Sequence, residues 1–223
     1  MEIEPNLQLK NYLLEQAVSE HLSEERQFPH VTECIYCLTK SWFKRLDPLP
    51  LTEDAIVKFS AGWVFEKVYI SGLHTQVMCV DGIFLSPDFL HYAGPNTYGE
   101  LKSTRARAPK ASDTPDFPVT WLEQMKAYAH AVERLEWDVA VIYIIPATIL
   151  AWRLHFTEDE VHENWVRILE RKEVLTDHIK RLVQPTPYDW CKDWECKYGC
   201  EYTTRCEAIS RGLPYSIGQG ESE

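Results

Sequence analysis

The sequence predicts an α+β fold, mixed α/β in its layering, with a small central sheet flanked by helices. Three observations predict it. Apolar residues recur at helical spacing through the first 70 residues. After Gly72 the pattern changes to short apolar runs divided by turn residues. A capping signature at Thr157 then opens another long periodic stretch. In order, Leu7, Leu9, Leu13, Leu14, Val18 and Leu22 give an amphipathic helix over 7–25, broken at Phe28-Pro29-His30. Thr32 is placed to cap a second helix to about Leu46, ended by Asp47-Pro48-Leu49-Pro50. Thr52 caps a third to about Ile70, with Glu53 and Asp54 at its positive end.

Strands follow at 75–80 and 83–90, joined by Asp81-Gly82, a strong two-residue hairpin signal. Ala93-Gly94-Pro95-Asn96 turns the chain into a third strand over 98–103, and a loop over 105–117 leads to a helix over 119–135. Apolar runs at 139–145 and 149–156 read as buried or half-buried strands. Thr157 and Glu160 form a capping box before a helix to about Val183. One domain over 1–223 is expected: N-terminal helices over 1–50, a core over 52–156, and a C-terminal helix with a cysteine-rich tail over 157–223.

The chain has 223 residues, 45% of them apolar and 26% charged, an ordinary globular balance. A net charge of −11 excludes a protein that holds DNA by overall charge, though not a local basic groove. The longest apolar run, 139–152, contains Pro146 and is too short to span a bilayer. The N-terminus is acidic and polar, unlike a signal peptide, so a cytoplasmic location without membrane contact is expected. Seven cysteines without a secretory signal read as thiols or metal ligands.

The chemistry centres on two strands. Ser86-Pro87-Asp88 sits in one, and Glu100-Leu101-Lys102 follows twelve residues later in the next. Residues two apart on a strand share a face, so Glu100 and Lys102 project together, and a hairpin can set Asp88 beside Glu100. Two carboxylates repel unless a cation lies between them, and an oxygen donor set suits Mg²⁺ or Mn²⁺. Such an ion promotes phosphodiester hydrolysis, with Lys102 stabilising developing charge. A Glu-x-Lys triplet alone is common in surface ion pairs; the pairing with Pro-Asp on a neighbouring strand is rarer.

Glu66, one turn after Gly62 on the third helix, is a candidate third carboxylate, and Gly62 would allow close backbone approach. His74 is a weaker alternative ligand. Gln124 and Tyr128, four apart on a helix, share a face and are candidates to bind phosphate or a base edge and to stack a base. Lys102, Arg105, Arg107 and Lys110 form one basic cluster; Lys40, Lys44 and Arg45 form another. Cys191, Cys196, Cys200 and Cys206 crowd sixteen residues, with Cys34 and Cys37 as further candidates and Cys79 read as core packing. Either the tail alone makes a Cys₄ zinc knot, or three tail cysteines join one from the N-terminal region around zinc or an iron–sulfur cluster.

These residues resemble a known family. The stretch Val31-Thr32-Glu33-Cys34-Ile35-Tyr36-Cys37-Leu38-Thr39-Lys40 looks like the opening cysteine motif of the RecB-like exonucleases found among CRISPR-associated proteins. The stretch Trp194-Glu195-Cys196-Lys197-Tyr198-Gly199-Cys200, followed by Cys206, looks like the closing motif with one residue added. Pro87-Asp88, Glu100-Leu101-Lys102 and Gln124 to Tyr128 match the catalytic motifs of the PD-(D/E)XK nuclease superfamily. The resemblance runs from about Thr32 to Cys206. It implies a restriction-endonuclease-like core and metal-dependent exonuclease action on single-stranded DNA. Catalytic roles are implied for Asp88, Glu100, Lys102, Gln124 and Tyr128. Mg²⁺ or Mn²⁺ would sit on Glu66, Asp88, Glu100 and the Leu101 carbonyl. It further implies a structural iron–sulfur cluster, [4Fe–4S] in preference to [2Fe–2S], on Cys37, Cys196, Cys200 and Cys206. The partners implied are DNA and the CRISPR adaptation integrase, with viral or phage DNA processing as another setting. The alternative is a non-catalytic module that binds nucleic acid or a partner and carries a zinc or iron–sulfur tail.

Overall fold

The computed structural model describes residues 7–19, 28–70, 77–91, 93–94, 97–110, 115–197, 200–213 and 217. Helices α1 (Leu7–Ser19), α2 (Val31–Ile35), α3 (Leu38–Leu46) and α4 (Glu53–Tyr69) precede strands β1 (Met78–Val80), β2 (Ile83–Leu85), β3 (Phe89–Leu90) and β4 (Tyr98–Thr104). Then come α5 (Val119–Ala131), β5 (Glu136–Tyr143), β6 (Thr148–His155), α6 (Glu158–Lys180), α7 (Asp193–Lys197) and α8 (Thr203–Ser210). The class is α+β, as the sequence predicts.

The sheet order is β3-β4-β5-β6, with β4 and β5 parallel and the other pairs antiparallel; β1 and β2 form a separate hairpin. Parallel strands need a crossover, and α5 supplies it. Asp81 and Gly82 both take positive φ, 49° and 71°, as a tight hairpin turn requires. Thr52 caps α4 through Ala55 N–H, and Thr157 with Glu160 makes the expected capping box on α6.

The chain departs from the predicted elements at three places. The helix expected over 32–46 is split. His30, not Thr32, is the N-cap, and its capping box with Glu33 sets α2 running early. Tyr36 is extended, and Cys37 starts α3 afresh. Arg171 on α6 stabilises this break by donating to the carbonyls of Cys34 and, at 2.7 Å, Tyr36. The strand expected over 83–90 is also split. Pro87 cannot donate to a ladder, so β2 stays with β1 while β3 joins β4. Cys79, read as core, is exposed: on the short β1 it takes the outward face.

The main core lies where β2, β4 and β5 meet α2, α5 and α6, with Leu85, Met125, Tyr128, Trp137, Val141 and Ile168 fully or almost fully buried. A second core joins Leu38, Trp42, Phe43, Leu175, Tyr202 and Cys206. It docks the C-terminal tail on α3 and α6, and each large side chain buried there is worth about 1.5–3 kcal/mol. Phe43 and Tyr202 stack with centroids 5.0 Å apart, and Arg205 covers both rings. No described helix is long and apolar enough to cross a membrane.

Candidate active site and cysteine centre

The antiparallel register Phe89↔Gly99 sets Asp88 opposite Glu100. Asp88 lies in the bend before β3 rather than inside a strand, because Pro87 ends β2's run. Its N–H donates to Glu100 Oε2 at 3.3 Å, and its Oδ2 accepts the Leu101 N–H at 2.7 Å. Gly99 makes this closeness possible: a Cβ there would meet the Asp138 carbonyl oxygen and the Phe89 ring at 2.9 Å.

Lys102 shares the Glu100 face. Its Nζ donates to Glu100 Oε1 at 2.6 Å and to Gln124 Oε1 at 2.9 Å. Gln124 Nε2 donates to Glu100 Oε1 at 3.2 Å and to the Tyr128 hydroxyl at 2.7 Å, which donates onward to the Ser86 carbonyl. Asp88, Glu100, Lys102, Gln124 and Tyr128 therefore form one hydrogen-bonded set across β4, α5 and the bend before β3.

Burial and the Glu100 charge push the Asp88 carboxyl up to about 8, although the Leu101 N–H and Lys102 pull the other way. Burial pulls the Lys102 ammonium down, but the Glu100 carboxylate outweighs it, and the net shift is upward. Lys102 stays charged while Asp88 holds a proton at neutral pH. Two carboxylates set side by side offer oxygen donors, and this donor set fits a hard divalent cation. Among the described residues no three His, Cys, Asp or Glu side chains are gathered to hold an ion by themselves. Mg²⁺ accepts one or two carboxylates and keeps waters for the rest. Asp88 and Glu100 would hold it, with Glu66 near enough for its charge to act on Asp88. When bound, the ion supplies Lewis acidity toward a phosphoryl oxygen. The chain's own part is to hold the Lys102 ammonium fixed beside Glu100, with Gln124 locking its position.

Other candidates are placed differently. His74 lies outside the described residues. A Cβ at Gly62 would meet nothing within 4 Å, so Gly62 makes no close approach. Tyr128 is fully buried and cannot stack a base; its hydroxyl positions Gln124 instead. Leu101 reaches Asp88 through its N–H. Lys40 and Lys44 pair with Glu201, and Arg45 pairs with Glu33, so that patch is largely neutralised within the fold. Arg105 and Arg107 are exposed just beyond β4.

Cys37 meets the tail at the break between α2 and α3. Its N–H donates to Glu195 Oε1 at 2.9 Å. Cys191 Sγ lies 3.1 Å from Cys196 Sγ. Burial and the neighbouring Cys196 and Cys37 raise the Cys191 thiol, and burial with Cys37, Cys200 and Cys196 raises Cys206 to about 12. Cys191 and Cys196 are thus in direct contact, and Cys37, Cys196 and Cys200 lie near enough to act on Cys206 electrostatically, whereas Cys34 is buried in the main core, its thiol pushed up to about 12. Thiols that suppress one another's ionisation fit a bound soft cation, which would hold them as thiolates. Among the described residues these thiols form no group of three gathered to hold a metal ion by themselves.

Three residues escaped the sequence reading. Arg171 donates to three carbonyls, those of Cys34, Tyr36 and Trp190. Glu195 also accepts the Lys192 N–H. Glu123 is buried and pairs with Arg167 and Lys192. Their decisive partners lie tens of residues away, so the sequence offered little signal for them.

No family model and no curated protein matches the chain. Among solved structures the chain is similar to the crystal structure of SSO0001, with a TM-score of 0.55 at 17% identity, covering 90% of this chain and 97% of that one. At that identity the likeness shows a shared fold. Two structures of an alkaline exonuclease (LHK-Exo) from Laribacter hongkongensis, the second in complex with dAMP, match at 13% identity. Their TM-scores are 0.43 and 0.47, and they cover 75% and 70% of this chain and 95% and 91% of theirs.

Proposed function

We propose that the chain is a divalent-metal-dependent DNA nuclease with a PD-(D/E)XK core, formed by one domain over 1–223. One observation carries the reading: Asp88, in the bend before β3, meets Glu100 on β4 while Lys102, held by Glu100 and Gln124, completes the same set. An ion pair formed by chance on a surface has no reason to be 2% exposed at its carboxylate and locked by a buried glutamine.

The finer reading is an exonuclease acting on single-stranded DNA with Mg²⁺ or Mn²⁺. It carries a structural iron–sulfur cluster on Cys37, Cys196, Cys200 and Cys206, [4Fe–4S] in preference to [2Fe–2S]. The motif resemblance supports it, as does the meeting of Cys37 with the tail. Spacer acquisition beside the CRISPR integrase, or viral DNA processing, follows from the resemblance alone.

The test uses full-length protein purified without oxygen, Mn²⁺, and end-labelled single-stranded and duplex DNA. Progressive shortening of the single strand, lost in Lys102→Met, is expected. A folded wild-type protein that leaves every substrate intact overturns the nuclease reading in favour of a binding module.

A further inference from the structure

Helix α4 packs against β4 and α1, yet within Glu53–Tyr69 only Ile56 is buried. Positions 59, 62, 63 and 66 fall on one face of it, at spacings of three and four. Glu66 is the member of that face whose charge reaches Asp88. Phe59 is 44% exposed there. The Phe59 and Trp63 rings lie side by side, centroids 6.0 Å apart and planes 29° from parallel. The exposed Val57, Val64 and Val68 lie on the opposite side of the helix.

Gly62 sits in the middle of this stripe. Glycine weakens a helix relative to alanine, and its use is to let another backbone or a ligand come close. No such neighbour belongs to the chain: apart from its own helix, nothing lies within 4 Å of a Cβ at Gly62, and its φ is not positive. The space over Gly62, bordered by Phe59 and Trp63 and leading to Glu66, is therefore open beside the proposed metal site. Flat rings next to open space suit an unpaired base, whose face stacks on any aromatic ring. A duplex keeps its base faces within its own stack.

We infer that Phe59, Gly62 and Trp63 form a stacking platform for an unpaired base of the DNA strand, next to the nucleotide held at Asp88 and Glu100. It rests on the nuclease reading, and it gives the preference for single strands a physical source: only a strand freed from its partner can lay a base on these rings.

The test reads binding by the full-length protein, in chelator so that no strand is cut. Fluorescence anisotropy follows two end-labelled strands, a short oligothymidylate and an abasic strand of equal length. Phe59→Ala removes a ring, and Gly62→Ala fills the space with a methyl group. Each should weaken oligothymidylate binding at least about fivefold, the lower end for one lost base–aromatic stack, and leave abasic binding within about twofold. Gly62→Ala should also raise the urea midpoint, because alanine is the better helix former, so its weaker binding is not a loss of fold. Val64→Ala, on the opposite side, should change neither affinity.

Equal losses on the two strands, or no loss on either, overturn the platform and leave the nuclease reading untouched. A wild-type dimer that Phe59→Ala abolishes gives this face to a second copy of the chain and overturns the platform too. A wild type that shows the expected binding pattern but cuts no DNA with Mn²⁺ overturns the nuclease reading alone.

Discussion

Lys192 Nζ lies 2.5 Å from Glu123 Oε2. Lys192 follows Cys191 in the tail, and Glu123 precedes Gln124 on α5. Arg167 on α6 reaches the other oxygen of the same buried carboxylate at 2.9 Å. The cysteine centre and the helix carrying Gln124 and Tyr128 are therefore joined through one acidic side chain.

Removing that side chain leaves two cations facing a pocket without their counter-charge. Both are partly exposed, which softens the loss, so Glu123→Ala should cost about 1–3 kcal/mol. Urea unfolding measures this. Trypsin should also cut the native variant after Lys192 faster than the wild type. A stability change within about 0.5 kcal/mol, the range of ordinary surface substitutions, would show that the link is ornamental.

Lys102→Met keeps the length and apolar stem of the side chain but removes the ammonium. DNA cleavage should fall at least about 100-fold, the scale set by losing a preorganised group that stabilises developing charge. Glu100→Ala is a poorer probe, because it strands a buried ammonium at a cost of about 3–5 kcal/mol. Single-turnover cleavage with circular dichroism as the control distinguishes lost chemistry from lost fold.

Asp88 gives the metal-free protein a pH dependence of definite sign. Its folded pKa, about 8, lies above the ordinary carboxyl value of 3.8, so the folded state holds a proton that the unfolded chain has released. That contribution to stability is complete below pH 3.8 and is lost as pH rises through 8. In chelator, urea midpoints of the wild type should fall from pH 5 to pH 9, and those of Asp88→Asn should fall less. Mg²⁺ should also bind more tightly at pH 9 than at pH 6 in the wild type. Parallel pH profiles for the two proteins would contradict this account.

Tyr128 and Gln124 should separate, although they are hydrogen-bonded to each other. Tyr128→Phe removes a hydroxyl that has no access to substrate, and should cost about 1 kcal/mol of stability while cleavage stays within tenfold. Gln124→Ala frees the Lys102 amine and should reduce kcat more than it changes KM. Equal losses of kcat in the two variants would place Tyr128 in contact with substrate after all.

The sequence by itself determined the elements whose causes are local. Asp81-Gly82 specified its turn, Thr157 with Glu160 specified the start of α6, and the two-residue repeat put Glu100 and Lys102 on one face. Spacing also made Asp88 a partner for Glu100. What it could not settle were features decided by groups far along the chain. The break at Tyr36 and Cys37 depends on Arg171, some 135 residues away, and the burial of Tyr128 depends on strands that pack over it. Glu123 looks like any helical glutamate until Arg167 and Lys192 are brought to it. Periodicity reports interactions within a turn or a hairpin, whereas burial and ion pairing across the molecule arise only when separate elements meet.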